Sequence, residues 1–146
     1  MKPDPPDPGR LLESLPHRPP FRFVDEVLEV SRGERIETAR VFRAEEEFFR
    51  GHFPGDPVVP GVLLVECMAQ AAGLAEGDTG GAHLARIDAA RFLAPVLPGE
   101  RVVVSMRRAG RFGRVVRYEG ECRVEGRVVA EGTVTLRTGP DEAGRA

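Results

Sequence analysis

The stretch Val62–Ala75 limits what this chain can fold into more than any other, because it is apolar on nearly every side of a helical wheel. Rich in Ala, Leu and Met and free of proline, it predicts one helix of about 14 residues and about 21 Å. Gly51–Gly61 before it holds three prolines and three glycines and reads as a shaped loop, and the polar, Gly-rich Glu76–Gly81 ends it. A helix without a polar face has to be enclosed by other elements.

The enclosing elements read as strands. Val115–Val124 sets Val116, Tyr118, Cys122 and Val124 on one face and Arg117, Glu119, Glu121 and Arg123 on the other, the alternation of a half-buried strand. A turn at Glu125–Gly126 leads to Arg127–Thr138, where Val128, Ala130, Val134 and Leu136 alternate with polar residues, and Arg101–Arg108 completes an antiparallel meander. Phe21–Val30 and Arg35–Phe42 read as two earlier strands joined at Ser31–Gly33. Residues 10–15 predict a short helix ended by Pro16, and Glu45–Arg50 a short helical or irregular piece. The sum is an α+β fold, an antiparallel sheet around one central helix. One curved sheet of this size covers only part of such a helix, so a homodimer is expected.

The 146 residues suit one domain, expected over 10–138, between a Pro-rich tail at 1–9 and a polar tail at 139–146, both expected to be disordered. A net charge of −2 without a basic block, and ends without a helix-turn-helix, argue against nucleic acid as a partner. No apolar run approaches the roughly 18 residues of a membrane span, and the first residues carry no signal-like apolar core, so a cytoplasmic protein is expected. Cys67 and Cys122 read as free buried thiols. His17, His52 and His83 have no ligands at metal-binding spacing, so no metal site is expected.

Chemistry concentrates around the helix. Glu66 and Gln70 stand four residues apart and share a face among nonpolar neighbours. Glu66 reads either as an acid whose proton is retained by an apolar pocket or as part of a buried network paired with an arginine. His52 lies in the rigid loop, and Gly61 sits where unpaired N–H groups at the helix start can hold a developing oxyanion. A base, an acid and an oxyanion site in one segment suit proton abstraction beside a thioester and departure of a β-hydroxyl. His17 reads as structural and His83 as a surface or strand-start residue. Phe48, Phe49, Phe53 and Phe92 read chiefly as packing, with Phe53, beside His52, the best placed to line an acyl tunnel.

The segment Gly51–Gly73, GHFPGDPVVPGVLLVECMAQAAG, resembles the active-site signature of the hotdog-fold β-hydroxyacyl-(acyl carrier protein) dehydratases of fatty-acid synthesis. The likeness continues in Leu15–Arg18 with Phe21 and Val24–Asp25, in Ile87–Phe92 and in Pro95–Gly99. It implies a hotdog fold, two subunits sharing one continuous sheet with a possible trimer of dimers, and active sites at the dimer interface. His52 would be the base and Glu66 of the other chain the acid. Gly61 and Val62 would hold the thioester oxygen, and Gln70 would orient Glu66. The implied reaction takes (3R)-hydroxyacyl thioesters, on acyl carrier protein or coenzyme A, to trans-2-enoyl thioesters without a cofactor. Glu66, where a related branch has Asp, favours a dehydratase without isomerase activity. A hotdog thioesterase and a non-catalytic acyl-thioester-binding subunit are the alternatives. The chain departs from the family's pattern at Pro19, at Arg22, in the short Glu76–Ala82 connection and at Leu93–Ala94. Acyl length and the carrier stay open.

Overall fold

The computed structural model describes residue 4, residues 6–77 and residues 81–139. Six strands form one antiparallel sheet in the order β1-β2-β4-β5-β6-β3: β1 (Glu26–Ser31), β2 (Arg35–Val41), β3 (Ala82–Phe92), β4 (Arg101–Phe112), β5 (Val115–Val124) and β6 (Arg127–Thr138). The sheet curls around α2 (Gly61–Glu76), which packs against β2, β3, β4, β5 and β6. A short helix α1 (Pro8–Glu13) and a 3-10 turn (Glu47–Arg50) flank it. None of the described helices is long and apolar enough to cross a membrane.

The core is the seam between α2 and the sheet. Leu64, Val65, Cys67, Met68 and Leu74 are buried on the helix, opposite Val102, Val104 and Met106 of β4 and Val116, Tyr118 and Cys122 of β5. Burying a side chain the size of Leu, Val or Met stabilises the fold by roughly 1.5–3 kcal/mol, so these contacts dominate the helix's docking. Close wrapping has a steric requirement at Gly120, where a Cβ would lie 1.9 Å from the Ser105 carbonyl oxygen. Both thiols are buried and free, and burial raises both pKa values, that of Cys122 to about 12, so they stay protonated.

The meander β4-β5-β6 follows the alternation read from sequence except in β6, where Thr133 of the polar face is buried beside Val134 and the pairing slips near Val128. Val129 is fully buried and Val128 is not, because the pairing shifts register between Cys122 and Arg123. The first strand starts at Glu26 rather than Phe21, since the backbone of Phe21 and Phe23 bonds to the Gln70 side chain instead of a neighbouring strand. Helix α1 spans Pro8–Glu13 rather than residues 10–15: Asp7 accepts the Gly9 N–H at 3.1 Å and Pro8 occupies the first turn, so the helix begins inside the expected tail. β3 was not separately expected. As an edge strand it leaves Leu84 and Ile87 exposed, and two register shifts break its periodicity. The expected C-terminal tail lies outside the described residues beyond Gly139.

Candidate active site

The loop before α2 holds His52 through its own backbone. The Val58 N–H donates to the His52 carbonyl at 3.0 Å, Phe53 and Asp56 exchange two backbone bonds, and Val59 N–H reaches the Val96 carbonyl at 2.8 Å. The imidazole Nδ1 stands 2.8 Å from the Val58 carbonyl oxygen. A carbonyl only accepts, so Nδ1 is the donor, and in the neutral ring Nε2 then carries the lone pair, the arrangement of a general base. The half-exposed Phe53 ring stacks on the imidazole at 4.2 Å, across a cis His52–Phe53 peptide.

Helix α2 starts at Gly61 without a side-chain cap, and the Leu63 N–H bonds back to the Pro60 carbonyl at 2.9 Å. Among the described residues no acceptor meets the N–H groups of Gly61 and Val62, which leaves two donors at the positive end of the helix. A Cβ at Gly61 would lie 2.9 Å from the Phe92 ring, so this glycine also lets Phe92 close on the helix start. Gly61, Val62, Phe92 and Val96 line one hollow beside that start.

One turn further along, Glu66 faces a cavity of about 150 Å³ between α2, residues 14–17, β3 and β6. Its neighbours there include Ala69, Leu74 and Leu136, and burial raises its pKa, opposed in part by a hydrogen bond from Gln70. Gln70 is itself buried; its Oε1 accepts the Phe23 N–H at 2.8 Å and its Nε2 donates to the Phe21 carbonyl at 3.0 Å. Gln70 therefore both touches the acid and pins the segment that covers it.

That segment brings in a residue read from sequence as structural. His17 Nε2 lies 4.0 Å from Glu66 Oε1, its Nδ1 is buried with no hydrogen-bond partner, and burial lowers its pKa. The segment turns at Pro19–Pro20, where the Phe21 N–H bonds to the Arg18 carbonyl at 2.8 Å, and the sequence signal for His17 was its place in the Leu15–Arg18 likeness.

Within one chain the expected site residues thus fall into three groups: Glu66 with Gln70 and His17, His52 with Phe53, and Gly61 with Val62. His52 does not line the cavity that Glu66 faces. The arginine alternative for Glu66 is not realised among the described contacts; on α2 it is Glu76 that pairs with arginines, Arg111 at 2.9 Å and Arg108 at 3.5 Å. A larger hollow of about 650 Å³ opens on the outer side of the sheet, but it is lined by ion pairs such as Arg107–Glu119 and Arg91–Glu131.

A six-stranded antiparallel sheet rolled around one buried helix, with an acid on that helix and a histidine in the loop that feeds it, defines a hotdog-fold protein. The dehydratase heterocomplex ApeI:P of Xenorhabdus doucetiae shares this fold, with a TM-score of 0.77 over 95% of each chain at 21% identity. The sequence profile of the FabA-like domain matches residues 15–133, and the chain belongs to that family. It is 41% identical over 141 residues to the 3-hydroxyacyl-[acyl-carrier-protein] dehydratase FabZ of Thiobacillus denitrificans, covering 90% of this chain and 97% of the relative. The protein of the same name from Anaeromyxobacter sp. is 43% identical over 129 residues, 83% of each chain.

Proposed function

We propose that this protein dehydrates (3R)-hydroxyacyl thioesters carried on acyl carrier protein to trans-2-enoyl thioesters in acyl-chain biosynthesis, as a homodimer whose sites are shared between subunits. The observation that carries the reading is Glu66, a carboxyl on the central helix that faces a cavity and whose pKa is raised by burial. Such an acid can give its proton to a departing hydroxyl near neutral pH.

His52 Nε2 takes the C2 proton; the electron pair forms the C2–C3 double bond and the C3–O bond breaks. Glu66 protonates the leaving oxygen, so water departs and the thioester stays intact. The Gly61 and Val62 N–H groups meet the thioester oxygen as charge builds on it. Gln70 orients Glu66, and Phe53 flanks the base. A proton and a hydroxyl leave together as water and no electrons pass to an acceptor, so the reaction is redox-neutral.

Sharing between subunits is supported by the separation of His52 from the Glu66 cavity and by the apolar side chains left exposed on β3 and near the start of α2. Among the described residues β3 is an edge strand, and its Leu84, Ile87 and Phe92 are exposed, as are Val62 and Phe53. A second copy pairing β3 to β3 would cover that edge and bring a His52 toward the Glu66 of its partner.

Hydration of crotonyl thioester, on carrier protein and on coenzyme A, tests the reading through loss of enoyl absorbance. His52-dependent loss with the thioester intact is expected. Release of free thiol would point instead to a thioesterase, and binding without turnover to a non-catalytic subunit. Mixing His52→Ala with Glu66→Gln subunits should restore part of the activity; no recovery after confirmed subunit exchange would refute the shared site.

A further inference from the structure

Helix α2 carries a glycine in its interior, Gly73, at a position where alanine would hold the helix better. Its backbone does not lie in the left-handed region, so conformation does not demand glycine. Crowding does not demand it either: a Cβ at Gly73 would meet no heavy atom within 4 Å. Gly61 and Gly120 differ, since a Cβ there would strike Phe92 at 2.9 Å or the Ser105 carbonyl at 1.9 Å.

The space beside Gly73 is the cavity that Glu66 faces. Seven residues of helix turn almost two full circles, so Gly73 stands on the Glu66 face, about 10 Å further along the axis. The cavity is polar at the Glu66 and His17 end and runs on past Leu74 to Gly77, Ala82 and Leu84. With the reacting C3 at the Glu66 carboxyl, an extended hydrocarbon advancing roughly 1.3 Å per carbon passes Gly73 about eight carbons further on. An acyl chain of fewer than about ten carbons stops short of that point.

We propose that Gly73 is a specificity-determining residue: it holds the acyl channel open beyond the reach of short chains, so the site takes 3-hydroxyacyl thioesters of about ten carbons and longer. The assignment rests on the dehydratase reading above. A side chain at position 73 would fill the channel where only long chains need it.

The test uses the purified full-length dimer and its Gly73→Leu and Gly73→Ala variants. For each, kcat/KM is measured for 3-hydroxytetradecanoyl and 3-hydroxybutyryl thioesters on the same carrier, with melting temperature as the check on folding. The tetradecanoyl-to-butyryl ratio should fall by at least about tenfold in Gly73→Leu and by a smaller factor in Gly73→Ala, which should melt no lower than the parent. An unchanged ratio in folded Gly73→Leu would overturn the assignment to Gly73 while leaving the dehydratase reading in place. If Gly73→Leu does not fold, an unchanged ratio in Gly73→Ala does the same. A parent protein inactive on both thioesters would overturn the dehydratase reading, and the assignment with it.

Discussion

Gln70→Leu removes the side chain that joins the acid to its cover while roughly preserving volume. In the native protein Gln70 is 2% exposed, accepts the Phe23 N–H at 2.8 Å and donates to the Phe21 carbonyl at 3.0 Å. Stranding the buried N–H costs about 1–3 kcal/mol, and losing the part-buried bond to Phe21 a further ~0.5–1.5 kcal/mol. The added apolar burial of Leu returns ~1 kcal/mol, which leaves a net loss of ~1–3 kcal/mol. Urea denaturation at equal protomer concentration should show a lower midpoint with an unchanged slope. The same substitution removes the hydrogen bond that partly offsets burial at Glu66, so the Glu66 pKa should climb further. Because the acid must be protonated to act, the alkaline limb of the dehydration profile should move to higher pH. A variant as stable as the parent to within about 0.5 kcal/mol would refute the account of Gln70 as the clamp on Phe21–Phe23.

Glu66→Gln should be nearly inactive, with a loss of about 10²–10⁴-fold, yet more stable than the parent at alkaline pH. The folded protein holds the Glu66 proton more tightly than the unfolded chain, so this residue's contribution to stability falls as pH rises from the ordinary value of 4.5 through the raised folded value. The advantage of Gln should vanish in acid; a difference that stays constant with pH would contradict the shift. Tyr118→Phe removes the 2.6 Å bond to the buried Glu76 carboxylate and should cost about 1.5–3 kcal/mol, read by thermal unfolding. An unshifted transition would mean that Arg108 and Arg111 satisfy Glu76 unaided. Gly120→Ala should destabilise the protein by about 3 kcal/mol or more, because its Cβ would overlap the Ser105 carbonyl. A soluble, normally melting Gly120→Ala would show that β4 and β5 can part at little cost.

The central helix and the meander were legible because their signals are local. Val62–Ala75 is apolar on nearly every side and the structure gives Gly61–Glu76, while the two-residue alternation of Val115–Val124 reappears as the buried set Val116, Tyr118, Cys122 and Val124. The four-residue spacing of Glu66 and Gln70 also sufficed to place them on one face. β3 was not legible, because an edge strand with exposed Leu84 and Ile87 and two register shifts carries no clean period.

The sequence by itself determined an enclosed helix, the strands that alternate around it, and an acid, a base and a glycine in one segment. Tertiary structure alone decided that His17 lies against Glu66, that Gln70 bonds to backbone 47 and 49 residues away, and that His52 stands outside the Glu66 cavity of its own chain. The physical reason is range. Helical and strand periodicity are set by neighbours along the chain, whereas these contacts depend on how the 15–23 segment, the loop and the helix meet once the sheet has closed around them.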